Sequence, residues 1–375
     1  MGDITISSAV RSNLNALQAT STLMSSVQEK LSTGKKVNSA LDNPNSFFTA
    51  KGLENRASDL STLLDDMGQS VQTLKAADKG ITAISDLVDA AKAKANQASQ
   101  TSSQAERAQY AKEYNELLTQ IEDLAKDSGY KGKNLLGGSG NDLSVTFNED
   151  GTSSLSISAV DFTDTTSSTG LNLSDLATAS TGTAALTITG TAGTTLASTS
   201  DFSSGDVITL SDANGSELGS LTIDDTTTIA DLEAVYDGID GASAAFTSNT
   251  LTVTSEFVLK TSSSNSTPAD FETNGTDSGF ATDANIDAAL SKLKSAQDTL
   301  RAQASTFGTN LSIVQSRQDF TTQMINTLEE GAGKLTLADT NEEGANLLAL
   351  QTQQSLASTS LSLAAQADQN VLRLF

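Results

Sequence analysis

The sequence predicts an α+β, multi-domain rod that is mainly α-helical at both termini, where long coiled-coil-like helices form a bundle, with a β-rich central insertion domain. Three observations predict this fold. Apolar residues alternate at steps of three and four through both ends of the chain. Within residues 141–282 short runs in which every second residue is apolar replace that period. From the Gly-Gly-Ser-Gly segment at 137–140, the composition also shifts to Thr, Ser, Gly, Ala and Asp.

The first predicted helix carries an apolar stripe that begins at Val10 and stops at Leu31. Gly34 follows as a natural C-cap, because glycine adopts the left-handed conformation without steric cost. The next helix should begin with Asn43 as its N-cap and Pro44 at its first helical position.

The inner helices of both ends carry narrow seams of apolar residues. Two are predicted within residues 44–129, and Ser103 with Glu106 forms a possible capping box that opens the second. A long helix resumes near Thr282 and should end at the glycines of 331–333. We expect these helices to pack as an antiparallel bundle. The predicted bundle core consists of Leu64, Met67, Val71, Leu74, Ile81, Ile84, Val88, Leu117, Ile121, Leu290, Leu293, Leu300, Phe307, Leu311 and Val314.

The two outermost helices differ from the bundle helices. A capping box of Thr340 and Glu343 should open the last one. Both carry apolar residues on more than one side, and an isolated helix of this kind is marginal in water. We therefore expect residues 1–34 and 340–375 to find partners only in other subunits; an ordinary bundle closed within one chain is the alternative. The predicted subunit-interface residues are Val10, Leu14, Leu17, Met24, Leu31, Leu356, Leu363, Val371 and Leu374.

The middle region should form a folded β-rich domain. Turns are predicted at Asp150-Gly151 and Asn214-Gly215, and one short helix at 228–239. A disordered Ser/Thr-rich linker is the alternative, but the recurring Val, Ile and Phe favour a folded domain. The predicted strands lie at 143–147, 155–157, 186–188, 207–209, 221–223, 251–253 and 257–259.

The composition argues against catalysis. The chain has neither Cys nor His, and therefore lacks the commonest general base, a common nucleophile and the two leading ligands of transition metals. We predict no catalytic residue, no metal ligand and no cofactor. A hydrolase using paired carboxylates, Asp65-Asp66 or Glu329-Glu330, is the enzyme alternative, but adjacent helical residues do not face each other.

Charge and hydropathy limit the partners. Lys and Arg number 22 and Asp and Glu 46, a net charge of −24, so the basic footprint that nucleic acid requires is missing. No apolar run is long enough to span a bilayer, so no membrane insertion is expected. The start of the chain shows no Sec-type signal; the protein should be cytoplasmic or leave by a route that reads no cleaved signal.

Both ends of the chain resemble a known family. Residues 11–17, Arg-Ser-Asn-Leu-Asn-Ala-Leu, and 31–42, Leu-Ser-Thr-Gly-Lys-Lys-Val-Asn-Ser-Ala-Leu-Asp, resemble the N-terminal signature of bacterial flagellins. Ala338-Asp339 and residues 350–375, which end in Asn-Val-Leu-Arg-Leu-Phe, resemble the flagellin C-terminal signature. Two matched ends around an unmatched middle make the resemblance specific.

This resemblance implies a subunit that is exported unfolded through the flagellar type III apparatus and self-assembles into the helical filament used for swimming. Its localisation would be the extracellular flagellar filament. The implied partners are other flagellin subunits, an export chaperone, the filament cap and hook-associated proteins. The implied domains are an inner-tube helix plus spoke at 1–43, outer-tube helices at 44–140, a variable surface domain at 141–282, an outer-tube helix at 283–333 and an inner-tube helix at 334–375.

Two other functions remain open. Asn43-Pro44-Asn45 stands where flagellins commonly carry an acidic residue and small residues, and this resembles the related hook–filament junction proteins. A secreted adhesin would explain the Thr/Ser/Gly-rich strands, but it would need a Sec signal and gives no reason for paired terminal heptads.

Overall fold

The computed structural model describes residues 8–264 and 270–372. The chain divides into two compact units. Unit 1 comprises Met1–Met67, Thr146–Ser154 and Ser316–Phe375, and unit 2 comprises Gly68–Val145 and Leu155–Gln315.

The described helices and strands confirm the predicted class, helical at both ends with a β-rich middle. The α-helices are α1 (Ser8–Thr33), α2 (Pro44–Gln100), α3 (Gln104–Asp127), α4 (Ile229–Asp237), α5 (Asp283–Thr336) and α6 (Thr340–Leu372), and a 3₁₀ turn spans Leu196–Ser198. The strands are β1 (Leu143–Thr146), β2 (Ser154–Ile157), β3 (Gly182–Thr187), β4 (Val207–Ser211), β5 (Glu217–Thr222), β6 (Ala242–Thr247), β7 (Thr250–Ser255), β8 (Lys260–Ser263) and β9 (Phe271–Glu272).

Local chemistry explains where several helices begin and end. Gly34 follows α1 with a φ of 67°, as expected of a C-cap. Asn43 Oδ1 accepts a hydrogen bond from Ser46 N at 3.1 Å, and Pro44 is the first residue of α2. Ser103 Oγ accepts from Glu106 N at 3.3 Å at the start of α3. The Glu106 carboxylate, however, accepts from the Thr101 hydroxyl.

Two predictions about helix ends in unit 1 are wrong. α5 continues through the glycines at 331–333 to Thr336. Each glycine disfavours a helix by only about 1 kcal/mol relative to alanine, and the burial of Leu328 and Ala332 on the same helix offsets this cost. The residue that caps α6 is Asp339, not Thr340: Asp339 Oδ1 accepts from the backbone N of residues 341 and 342 at 2.9 and 3.3 Å.

The middle of the chain forms antiparallel sheets. β1 and β2 make a two-stranded sheet, β3, β7 and β6 a three-stranded sheet, and β5, β4, β8 and β9 a four-stranded sheet, in these spatial orders. Leu251 of β7 lies opposite Leu186 of β3 and Phe246 of β6. α4 begins as predicted, where Thr228 and Asp231 form a reciprocal capping box. Hydrogen bonds from the Thr228 backbone and hydroxyl lower the pKa of Asp231.

The predicted strand at 257–259 is wrong, although its apolar side chains are buried. Phe257 and Leu259 are 2% and 1% exposed. The backbone N of Val258 donates to Asp277 Oδ1 at 2.8 Å, and that of Leu259 donates to Thr273 Oγ1 at 3.0 Å. Side chains satisfy these two donors, so the ladder is limited here to one bond from Thr273 N to the Leu259 carbonyl at 3.0 Å, and β8 begins only at residue 260.

A buried polar cluster in unit 2 joins the start of α3 to the turn between β4 and β5. The Ala281 carbonyl accepts from Gln104 Nε2 at 3.1 Å, Arg107 Nη1 at 3.0 Å and Asn214 Nδ2 at 2.7 Å. Gln104 Nε2 also donates to Asp212 Oδ2 at 2.7 Å. Gln104, Arg107 and Asp212 are each at most 5% exposed. The cluster thereby ties one helix end to the β-rich region through paired, desolvated groups.

Candidate assembly interface

The helices nearest the two ends of the chain, α1 and α6, pack against each other in antiparallel orientation within one chain. The expectation that these segments find partners only in other subunits is therefore wrong, because each helix already covers part of the other's apolar stripe. Lys30 Nζ lies 3.1 Å from Glu343 Oε1, and Asn13 Nδ2 donates to Ser360 Oγ at 3.3 Å. Seventeen residues separate the two contacts on each helix. The equal spacing indicates a constant register along the pair.

The seam between these helices is apolar but narrow. On α1, Val27 is 8% exposed and Thr20 is 9% exposed. The hydroxyl of Thr20 donates to the Ala16 carbonyl at 2.9 Å, so this polar group is satisfied within its own helix. Among the described side chains of α6, at 340–367, none is fully buried. The half-buried apolar residues that alternate with exposed ones are Val10, Leu17, Met24 and Leu31 on α1 and Leu347, Leu350, Ala357, Leu361 and Ala364 on α6.

Other leucines of the same helices remain exposed. Leu14 and Leu23 of α1 are 37% and 57% exposed, and Leu348, Leu356 and Leu363 of α6 are 67%, 66% and 62% exposed. We call these five residues the outward leucines. Large exposed apolar surface on adjacent helices is typical of an interaction site.

The predicted subunit-interface residues therefore fall into two groups. Val10, Leu17, Met24 and Leu31 are half-buried, while the remaining described members are outward leucines: Leu14, Leu356 and Leu363. The side chain of Val371, and all of Leu374, lie outside the described residues. Sequence reasoning missed Leu23 and Leu348 as exposed candidates. Both could have been identified from the sequence, because each is a leucine directly beside the main apolar stripe of its helix.

The residues predicted for the bundle core are all withdrawn from solvent to some degree. Leu64, Leu117, Leu290 and Leu311 are half-buried. The fully buried members are Met67, Val71, Leu74, Ile81, Ile84, Val88, Ile121, Leu293, Leu300, Phe307 and Val314. On α3 the neighbour Leu118, at 1% exposure, packs more deeply than the predicted Leu117.

Two tyrosines with strongly raised pKa values, Tyr114 and Tyr236, lie in the core of unit 2. Burial raises the pKa of Tyr114 to about 12, with a smaller contribution from the Asp175 carboxylate. Its ring contacts Phe280 edge-on, with 5.5 Å between centroids. Burial also raises the pKa of Tyr236 to about 12, and its hydroxyl lies 2.9 Å from Thr261 Oγ1. Both buried rings therefore contribute to the core of unit 2, Tyr114 through its contact with Phe280 and Tyr236 through its hydroxyl contact with Thr261 as well.

The described part of the chain contains no group of three or more His, Cys, Asp or Glu side chains arranged to hold a metal ion. Within the same residues, no helix is both long enough and apolar enough to cross a bilayer.

Comparisons with known proteins identify the same family at both ends of the chain. The family model of the bacterial flagellin N-terminal helical region matches residues 5–141, and that of the C-terminal helical region matches residues 285–375. Flagellin A of Rhizobium meliloti is 25% identical over 408 aligned positions, covering 100% of each chain. Flagellin D of the same organism is 37% identical over 92 residues, 24% of this chain and 23% of that protein. The flagellar junction protein FlgL from Legionella pneumophila, a solved structure, is 13% identical with a TM-score of 0.26, covering 88% of this chain and 98% of that one.

Proposed function

Because the chain belongs to the bacterial flagellin family, which consists of structural proteins of the flagellum and not of enzymes, we propose that it polymerises through α1 and α6 into the helical filament. The filament is the structure used for swimming. In this proposal α1 and α6 line the inside of the polymer, and the long helices α2, α3 and α5 surround them.

The outward leucines carry this proposal. The α1–α6 seam leaves Leu348, Leu356 and Leu363 more than 60% exposed within one chain. Complete burial of a leucine stabilises by about 1.5–3 kcal/mol, so covering these three in neighbouring subunits would contribute several kcal/mol per subunit. The polymer stays open because a subunit binds its neighbours head to tail, through different surfaces on its two sides.

The same surface accounts for the partners that we propose for the protein before assembly. An apolar face of this size would promote premature association in the cytoplasm. Export in unfolded form through the flagellar type III apparatus, with a chaperone on the C-terminal helix, would prevent it. At the growing end of the filament, the cap and the hook-associated proteins would bind the subunit.

A triple substitution of outward leucines on α6 tests the proposal. We expect L348S/L356S/L363S to abolish seeded filament growth, because these side chains are exposed in the single chain and become buried only in the polymer. The control Q351S/Q353S/Q366S shortens three exposed side chains of the same helix without removing apolar surface. Electron microscopy and light scattering report growth, and circular dichroism checks that the single chain keeps its helix content. Normal filaments from the leucine variant, or from a chain lacking residues 340–375, would refute the proposal.

The alternative is a hook–filament junction protein, favoured by the Asn43-Pro44-Asn45 sequence. Such a protein would be present in few copies and would not form long filaments. Its abundance relative to other proteins in sheared flagella separates the two functions.

A further inference from the structure

Residues 35–48 of unit 1 present two exposed apolar side chains beside two lysines. Leu41 is 95% exposed and Phe48 is 64% exposed. Phe48 contacts the half-buried Phe47 edge-on, with 5.6 Å between ring centroids. Lys35 and Phe47 line one small cavity. We call Lys35, Lys36, Leu41 and Phe48 the basic knob.

The turn that carries Leu41 is held in one conformation. Asp42 Oδ2 accepts from the backbone N of Asn38 and of Ser39, both at 2.9 Å. These hydrogen bonds lower the pKa of Asp42, and the bond from Ser39 N has the larger effect. The negative charge of Asp42 is therefore stabilised inside the turn. Lys36 N donates to the Thr336 carbonyl at 2.7 Å. A preorganised turn loses little backbone conformational entropy when it binds, so Leu41 can be covered at a lower entropic cost than a leucine on a flexible loop.

Among the residues that the structure describes, neither knob lysine forms an ion pair. Lys36 Nζ donates to the backbone carbonyl of Lys334 at 3.0 Å, which is not an ion pair. In the described part of the chain, Lys35 Nζ has no carboxylate within salt-bridge distance. The chain has a net charge of −24, so copies repel one another. Two lysines against the single carboxylate of Asp42 in this turn are a local exception to that repulsion.

Unit 2 contains a surface with complementary chemistry. A groove of about 370 Å³ lies between α2 and α3. Leu87 and Leu124 line it and are half-buried, and Asp86, Asp123 and Asp127 are exposed along it. Asp123 pairs with Lys126 at 3.3 Å. Asp86 and Asp127 have no ion-pair partner among the residues that the structure describes. We call this surface the acidic groove.

We infer that the basic knob of one subunit docks into the acidic groove of a second copy of this chain. Leu41 and Phe48 would cover Leu87 and Leu124, while Lys35 and Lys36 would face Asp86 and Asp127. Every copy carries both surfaces, and the two differ, so the contact is head to tail and repeats from subunit to subunit. This inference rests on the proposed polymerisation and names one contact within it, separate from the outward leucines.

Charge reversal on each side, alone and combined, tests the pairing. We expect K35E/K36E and D86K/D127K each to slow seeded elongation about tenfold or more, the lower end of what electrostatic steering contributes. The combined variant K35E/K36E/D86K/D127K has the net charge of the natural chain and should recover most of the lost rate. Elongation is followed by light scattering from preformed seeds, and thermal melting by circular dichroism checks that each single chain is folded.

A matched control separates local pairing from net charge. E217K/D225K changes the net charge as much as D86K/D127K does, but at exposed positions of the β-rich region; it should not slow elongation. The apolar part of the knob–groove contact is tested with L41S, which replaces a 95% exposed leucine by a small polar residue. It should slow elongation while leaving the melting temperature unchanged.

The possible results point to different failures. If the natural chain grows filaments and both reversals grow at its rate, the knob–groove contact is refuted and the filament function stands. If each reversal slows growth but the combination restores nothing, the two surfaces do not face each other and the inference is again refuted. If the natural chain forms no filaments, the proposed function itself fails.

Discussion

Arg107 illustrates how one side chain can stabilise the meeting point of several elements in unit 2. Its Nε donates to the Thr101 carbonyl at 2.9 Å, its Nη1 to the Ala281 carbonyl at 3.0 Å and its Nη2 to Asp283 Oδ1 at 2.7 Å. The arginine side chain is 6% exposed but that of Asp283 is 78% exposed. Solvent screens the ion pair, so most of the stabilisation must come from the two carbonyl bonds.

Replacing this arginine should therefore lower the stability of unit 2. We expect R107M, which keeps the apolar stem, to reduce the free energy of unfolding by about 2 kcal/mol, the scale of hydrogen bonds to a charged donor. The control is R301M, because Arg301 is exposed and, in the part of the chain that the structure describes, forms its ion pair with the exposed Asp298 on its own helix; its effect should stay within about 0.5 kcal/mol. Urea unfolding followed by circular dichroism measures both. Equal stability of the two variants would contradict this account of Arg107.

At the scale of elements, α4 covers the edge of the three-stranded sheet. β6 lies at that edge and pairs only with β7 within its sheet. The outward backbone N of Ala244 donates to Asp237 Oδ1 at 2.8 Å, and that of Phe246 donates to Glu233 Oε1 at 3.3 Å. Both carboxylates come from α4. Side chains thus occupy donors that would otherwise be free to pair with a strand of another chain.

Removing these acceptors should open the edge to association. We expect E233A/D237A to dimerise with rising concentration below the polymerisation threshold, through strand pairing at β6. The control E233Q/D237N changes the charge equally but keeps a carbonyl oxygen on each side chain, so it should remain monomeric. Analytical ultracentrifugation measures the mass of each variant. A monomeric alanine variant would show that these acceptors do not protect the edge.

Elements with strong local signals could be predicted from the sequence, and elements specified by tertiary contacts could not. The start of α2 depends on Asn43 and Pro44, which act within one turn. The strand β6 was not predicted, because its sequence, Ala-Ser-Ala-Ala-Phe-Thr, is poor in β-branched residues and the strand is defined by its pairing with β7. The glycines at 331 and 333 were interpreted as a helix end because the burial of Ala332 between them is invisible in the sequence.

The same limit applied to the candidate interface. The apolar stripes on the terminal helices predicted which residues need covering, but a stripe does not specify whether the covering helix belongs to the same chain. In the structure, residues such as Leu17 and Met24 of α1 are half-buried, whereas Leu356 and Leu363 of α6 stay exposed. The assignment of all nine residues to contacts between subunits remains a prediction.

At the scale of the whole molecule, stability should be unevenly distributed along the chain. α2 buries Met67, Ile84 and Val88 completely, at 0% exposure. The α1–α6 pair buries a single narrow seam, and no described side chain of α6 is fully buried. Helical segments that bury little apolar surface open with a small free energy, even where the remainder of the protein is firmly folded.

Hydrogen exchange should therefore distinguish the free subunit from the polymer. In the dilute monomer we expect amides of α1 and α6 to exchange rapidly, while those of α2 from Met67 to Ala98 exchange slowly and serve as the internal control. In the filament, exchange in α1 and α6 should slow by at least about a hundredfold, because burial of several leucines per subunit adds more than the roughly 2.8 kcal/mol that this factor requires. The measurement is hydrogen–deuterium exchange with mass spectrometry on both forms. If α1 and α6 were as protected as α2 in the monomer, their order would not depend on assembly, and polymerisation could not draw its stability from completing these helices.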